Sequence, residues 1–203
     1  MLRKLSILAC VLLFISAAIA QEHPSDLAVS GFGSFPKSTS GNSIEQDPTN
    51  SAGFLLSYRY GWRPHSAFEL NYAFTRNTQY YTVVGTITGP IASQQTNVHE
   101  LTAAYVLQGS GERKLQPFLL GGGGALIFAP VSNSNNFGFG STTETSGTFL
   151  YGFGLNYRMA HGLGVRLQYR GLIYKAPDFG VSEIATGGWS HTAEPSIGVT
   201  FRF

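Results

Sequence analysis

Alternation between apolar and polar residues is the feature that most constrains the fold of this 203-residue chain. In the segment GFLLSYRYGW, Phe54, Leu56 and Tyr58 alternate with Ser57 and Arg59. Successive side chains of a β-strand point to opposite sides, so a period of two indicates a strand with two different faces. Helical periodicity is absent. The sequence therefore predicts an all-β protein.

The same alternation recurs along the chain, and turn residues separate the alternating segments. Five more segments alternate clearly, and they are 67–75, 100–107, 147–158, 162–171 and 193–203. Two others, 27–35 and the glycine-rich 117–128, alternate poorly, but their length and turn boundaries favour strands. We therefore expect eight strands.

The connections between these strands alternate in length. Long connections, rich in Gly, Ser, Thr, Asn and Pro, cover 36–50, 77–92, 129–142 and 175–189. Short ones lie between them, at 63–65, 108–114 and 160–162. In an antiparallel meander, this order puts every long loop at one end of the sheet. A soluble sandwich has no reason for that asymmetry, whereas an outer-membrane barrel has long extracellular loops and short periplasmic turns.

The first twenty residues have the pattern of a secretory signal peptide. Arg3 and Lys4 precede an apolar run, and Ala-Ile-Ala precedes Gln21, which predicts cleavage after Ala20 and a mature domain of residues 21–203. The run is short for a retained membrane anchor. A lipoprotein signal at Cys10 would leave almost no hydrophobic middle.

Removal of the signal peptide changes the charge balance and the cysteine content of the chain. The mature chain keeps eleven of the thirteen Lys and Arg residues against eleven Asp and Glu, and it keeps no cysteine. There is thus no basic excess for nucleic-acid binding and no disulfide framework.

The apolar faces carry aromatic residues near their ends, as in the interfacial girdles of membrane barrels. Examples are Trp62, Phe68, Tyr105, Tyr157 and Phe203. The opposite faces are rich in Gly, Ala and Ser, with isolated charges and no mid-strand lysine. In a soluble barrel the apolar face would fill the core. Here the pattern favours an apolar face toward lipid and a narrow, packed polar interior.

Seven charged residues would then share the interior. A buried charge is strongly unfavourable unless it is paired, so we predict an ion-pair network among them. The alternative is a set of unconnected surface charges. The predicted members are Arg59, Glu69, Glu100, Arg166, Arg170, Glu194 and Arg202.

The mature chain resembles the small eight-stranded outer-membrane β-barrels of Gram-negative bacteria, which are OmpA/OmpX-like and opacity-protein-like. The resemblance rests on the signal peptide, the strand spacing, the segment LQPFLLGGGGALIF and the terminal GVTFRF. It implies an eight-stranded antiparallel up-and-down transmembrane β-barrel in the outer membrane, in contact with its lipid. It also implies that Phe201 and Phe203 belong to the signal read by the barrel-assembly machinery.

The four glycines of the fifth strand raise the question of which way that strand faces. We expect its large apolar residues, Phe118, Leu120, Leu126 and Phe128, to point outward. Gly121 and Gly123 would then face the interior and leave room for long side chains from neighbouring strands, as glycine does where another group approaches closely.

Known catalytic, metal and cofactor motifs are missing from the sequence. His99-Glu100 is followed by Ala103 where a zinc-binding H-E-x-x-H motif needs histidine, and no Lys-Ser/Thr follows the glycine run. We therefore expect no enzyme activity, no metal and no cofactor.

The sequence favours a non-enzymatic envelope protein that displays four long loops, with a possible role for the loops in adhesion to surfaces or host ligands. The alternative is a narrow porin-like channel for small solutes. A soluble lipocalin-type barrel would need the apolar faces inside.

Overall fold

The chain folds into a closed ring of eight antiparallel strands, as predicted. The structure is a computed structural model that describes residues 24–85, 89–109, 113–135 and 142–203. The predicted signal peptide and its cleavage site lie outside these residues. The strands are β1 Ser25–Pro36, β2 Thr39–Gly41, β3 Ile44–Pro48, β4 Ser51–Arg63, β5 Ser66–Val83, β6 Ala92–Gln108, β7 Leu115–Asn135, β8 Glu144–Arg158, β9 Leu163–Lys175 and β10 Trp189–Arg202. All except β2 and β3 belong to the ring.

Pairing of the first strand with the last closes the ring. β1 and β10 are antiparallel, with Asp26 opposite Arg202 and Pro36 opposite Thr192. At the base of this seam, Ser25 and Phe203 exchange two backbone N–H···O=C hydrogen bonds, both of 3.0 Å. The ring therefore has no free edge along β1 and β10.

The two faces of the ring differ sharply in exposure. Outward Leu70, Leu119 and Ile197 are 59%, 60% and 60% exposed, whereas inward Glu69 and Arg170 are fully buried. Soluble barrels have the opposite arrangement, with apolar residues filling the core. The predicted outward rows of β4, β5, β6, β8, β9 and β10 are confirmed. In the described part of the chain, no helix is long and apolar enough to cross a membrane.

Short turns lie at one end of the barrel and long connections at the other, also as predicted. The predicted loops at 77–92 and 129–142 are shorter than expected, and about half of each range is strand, because β5 runs to Val83, β6 begins at Ala92 and β7 runs to Asn135. A bilayer needs only about 9–11 residues of a tilted strand, so these strands continue beyond it. In β5 the inward Asn77, Gln79 and Tyr81 extend the period-two pattern with polar groups.

The first long connection, at 36–50, is also partly strand. It contains the hairpin of β2 and β3, and β3 pairs with the extension of β5, with Ile44 opposite Val83. This end of the barrel is therefore built largely from paired backbone.

The predicted facing of the glycine strand is wrong. Phe118, Leu120 and Leu126 point into the barrel and are buried, together with Phe128. The alternation could not decide the facing, because β7 has large apolar residues on both faces. The inward glycines are consequently Gly122 and Gly124, not Gly121 and Gly123.

The inward glycines are required by the close approach of β6. A Cβ atom on Gly122 would meet the carbonyl oxygen of Ala103 and lie 2.6 Å from the Cα of Ala104. Gly124 meets the backbone of β6 in the same way. A Cβ on the outward Gly121 would meet nothing within 4 Å.

Substitution of Gly122 by alanine is expected to impair barrel assembly, because the added methyl group can be placed only by moving the backbone of β6. Gly121→Ala is the matched control and should assemble like the wild type. The folded fraction is measured by heat-modifiable migration on gels. Equal tolerance of the two substitutions would contradict the observed facing of β7.

Candidate functional site

The interior charges form two separate clusters, and the first lies toward the short-turn end. Arg59 of β4 donates from Nε to Glu69 Oε2 at 2.8 Å, and its Nη2 lies 2.6 Å from the same oxygen. Arg166 reaches across from β9, and its Nη1 donates to Glu69 Oε2 at 3.1 Å. All three side chains are almost completely buried. One carboxylate therefore serves two guanidinium groups.

An aromatic ring offsets the excess positive charge of the first cluster. The guanidinium carbon of Arg59 lies 4.3 Å from the centroid of the Phe118 ring, and that of Arg166 lies 5.4 Å from it. The face of an aromatic ring attracts cations at this range. Arg166 also donates from Nε to Asn156 Oδ1 at 2.8 Å. Phe118 is not predicted as a partner of these arginines, because its place in the glycine strand predicts an outward side chain, whereas the side chain is buried.

The second cluster has one arginine and two carboxylates. Arg170 donates to both oxygens of Glu100, at 2.9 and 2.8 Å, and to Glu194 Oε2. Thr102 donates its hydroxyl to Glu100 at 2.8 Å. Arg170 lies four residues beyond Arg166 on the same face of β9, which is about 13 Å along a strand. The second cluster thus lies farther from the short-turn end.

Arg202, the seventh predicted member, joins neither cluster. Its Nε lies 3.1 Å from Asp26 Oδ1, at the short-turn end of the seam between β1 and β10, and its side chain is 26% exposed. Asp26 is not among the predicted interior charges, although it is the second residue of β1 and directly precedes Leu27. The two buried clusters together hold three arginines and three glutamates, so their formal charges cancel.

Apolar side chains fill the interior beyond the second cluster. The sequence pattern predicts small and charged residues in the interior, whereas the strands at this end also contribute large apolar side chains. The connection 176–188, which we call the cap, adds buried Phe179, Val181 and Ile184. The strand residues that pack with the cap include Leu126, Phe128, Leu150, Leu172 and Tyr174.

Buried and partly buried hydrogen bonds hold the cap against the strands. Glu144 Oε2 accepts the backbone N–H groups of Asp178 and Phe179, at 2.7 and 2.8 Å. Burial and the negative charges of Glu144 and Asp178 raise the pKa of the Tyr81 phenol, which therefore stays protonated. That phenol donates to the Pro177 carbonyl at 3.4 Å. The cap is therefore held against the strands at the long-loop end of the interior.

Comparison with known proteins agrees with this architecture. Residues 6–203 match the family described as outer membrane protein beta-barrel domain. The chain belongs to this family. The barrel accordingly lies in the outer membrane, with its apolar face in lipid. No curated protein matches the chain.

Solved structures of three bacterial outer-membrane proteins have the same fold. The attachment invasion locus protein Ail of Yersinia pestis, bound to the heparin analogue sucrose octasulfate, is 17% identical, with a TM-score of 0.55 over 90% of this chain and 100% of that one. Neisserial surface protein A is 12% identical, with a TM-score of 0.57 over 89% and 97%. OprG of Pseudomonas aeruginosa is 12% identical, with a TM-score of 0.59 over 88% and 95%.

The histidines that the structure describes lie away from the charged interior of the barrel. His99 and His191 face outward, where each shares a hydrogen bond with a tyrosine: Tyr72 at 2.9 Å and Tyr151 at 2.8 Å. Among the described residues, no three His, Cys, Asp or Glu side chains come together in a way that could hold a metal ion. The interior charges pair with one another, an arrangement that fills space and joins strands.

Glu69→Gln is expected to lower the free energy of unfolding by about 3–5 kcal/mol, because it leaves Arg59 and Arg166 buried without a carboxylate. Glu194→Gln should cost less, since Arg170 keeps both oxygens of Glu100. The measurement is equilibrium unfolding by urea in lipid vesicles. The exposed Glu183→Gln is the control. Similar losses for all three variants would contradict the pairing.

Proposed function

We propose that this protein is a non-enzymatic, non-conducting outer-membrane scaffold that contributes to envelope structure and displays its long loops to the exterior. In this proposal the chain is exported and cleaved after Ala20. The barrel-assembly machinery recognises its last strand through Phe201 and Phe203, whose side chains are exposed on the outer face. The filled cross-section of the barrel is the observation that carries the proposal.

Three successive layers obstruct a path along the barrel axis. They are the cluster of Arg59, Glu69 and Arg166 with Phe118, the cluster around Arg170, and the cap. The cavity beside the second cluster has a volume of only about 20 Å³. That is room for about one water molecule. A larger space of about 210 Å³, lined by residues such as Asp26 and Arg202, lies at the short-turn end. These dimensions favour a scaffold over the porin-like alternative.

Purified barrel reconstituted in planar bilayers is expected to give no steady channel openings, because paired charges and the cap fill its interior. A conducting porin incorporated under the same conditions is the positive control. Incorporation of the silent protein is verified by its heat-modifiable migration after recovery from the membrane. Reproducible unitary openings would overturn the scaffold proposal and favour a small-solute channel.

The charge of the displayed surface limits the kind of partner that the loops can bind. The long-loop end carries the bases Lys37, Arg76 and Lys175, together with a larger set of acids. Those acids are Glu45, Asp47, Glu144, Asp178 and Glu183. The Ail structure contains a polyanionic ligand. A surface with an acidic excess repels such a ligand, so we propose that these loops bind a neutral or cationic partner.

The wild-type barrel, displayed on intact cells so that its basic short-turn end is inaccessible, is expected to pass through a heparin column at physiological salt, because its displayed end has an acidic excess. Reversal of two exposed charges, Glu45→Lys and Glu183→Lys, should produce retention. Lys37→Glu with Lys175→Glu is the opposite control and should elute with the wild type. Retention of the wild type as strong as that of the lysine variant would contradict the proposed partner class.

A further inference from the structure

An open apolar groove of about 880 Å³ runs across the outer face of β6 to β10, close to the short-turn end. Its walls include Leu119, Phe153, Leu155, Leu167 and Tyr169. The outer face of a small closed barrel is generally convex, so a groove of this size is a distinct feature of this side. Its volume would accommodate long hydrocarbon chains.

A basic pocket adjoins the lower edge of the groove. It has a volume of about 380 Å³, and its lining includes Arg113, Lys114, Arg158 and Tyr157. The strand register places it next to the groove: in β8, Tyr157 lies opposite Leu115, and the groove residue Leu155 lies opposite Pro117. Two residues of a strand span about 6.6 Å. The cationic pocket and the apolar groove are therefore only two residues apart along β8.

The position of this pocket corresponds to the membrane boundary on the short-turn side. Arg113 and Lys114 are exposed directly before β7, next to the outward aromatic row that includes Tyr157. In the sequence one acidic residue, Glu112, directly precedes Arg113. Among the described residues of the short-turn end the bases outnumber the acids, since Arg63 and Arg158 add to Arg113 and Lys114 and the acid Asp26 pairs with Arg202.

From these observations we infer that the groove and the basic pocket together form a binding site for an anionic glycerophospholipid of the periplasmic leaflet. Arg113 and Lys114 pair with the phosphate and the anionic headgroup, while an acyl chain lies along the groove past Leu155; Arg158 lies beside them but donates to the inward Gln116 at 3.1 Å. Cations near a membrane surface attract anionic lipids. The inference depends on the membrane placement of the barrel and not on whether it conducts or adheres.

The juxtaposition itself selects an amphiphilic ligand. A soluble phosphate would use the cations and leave the groove empty, and a neutral lipid would use the groove without the cations. Charged groups of the extracellular end lie on the opposite side of the bilayer, so they cannot contribute. A second copy of the barrel is the main competing occupant of the groove, and the experiment distinguishes it.

A tryptophan reporter tests the site in vesicles. The two native tryptophans are replaced by Trp62→Phe and Trp189→Phe, and a single reporter is introduced as Leu155→Trp in the groove. Leu70→Trp is the control, since Leu70 faces outward on β5 at a similar distance from the short turns. Brominated phosphatidylglycerol or brominated phosphatidylcholine is mixed with its unbrominated counterparts, and quenching gives the relative affinity of each lipid for the reporter position.

At Leu155→Trp we expect phosphatidylglycerol to be preferred by at least about fivefold, the contribution of one near-surface cation, and at Leu70→Trp no such preference. Arg113→Gln with Lys114→Gln should abolish the preference. Lys37→Gln with Lys175→Gln, which changes the net charge equally, should leave it intact. Heat-modifiable migration verifies folding of every variant.

Three results would overturn the inference. One is an equal preference at both reporter positions, and another is an equal effect of the two charge-removing pairs, since each would reflect the vesicle surface and not a site. The third is weak quenching by both brominated lipids at Leu155→Trp together with normal quenching at Leu70→Trp. That result would show that protein, and not lipid, covers the groove.

Discussion

A strand that crosses a bilayer has no water with which its backbone N–H and C=O groups can form hydrogen bonds. Every such group must pair with another strand, so the sheet has to close on itself. The seam between β1 and β10 meets this requirement, down to the reciprocal bonds between Ser25 and Phe203. Closure with eight strands fixes a narrow interior, and that width determines which side chains can face inward.

The narrow interior explains why charge appears where apolar residues usually lie. Arg166 and Arg170 are long enough to reach across the ring, and each meets glutamate from a different strand, so the two clusters join opposite walls. Burial would make either charge costly alone. Phe118 supplies a further partner for the arginines of the first cluster. The pairing that stabilises the described part of the barrel is therefore also what occupies its narrow interior.

The sequence predicted the parts of the fold in which the two faces of a strand differ chemically. In β4, Phe54, Leu56 and Tyr58 share one face and Arg59 lies on the other. The facing of this strand was therefore predicted without ambiguity. In β7 both faces are apolar, so the facing depends on packing against other strands, which the sequence pattern does not contain. Because the facing of β7 was predicted wrongly, the contact of Phe118 with the buried arginines was not predicted either. The ion pairs across the ring could likewise not be predicted from the spacing of charged residues in the sequence. They depend on the shear between strands that lie far apart in sequence.

Coupling between Arg59 and Glu69 tests this account most directly. Arg59→Met, Glu69→Met and the double variant are unfolded with urea in lipid vesicles, and the double-mutant cycle isolates the interaction between the two side chains. In the double variant, Arg166 keeps Asn156 and the Phe118 ring as partners. We expect each single substitution to be strongly destabilising, the double to be less so than their sum, and a coupling free energy of about 2 kcal/mol or more, within the range for residues of one buried network. Additive effects, with a coupling near zero, would show that the paired charges do not hold the barrel together.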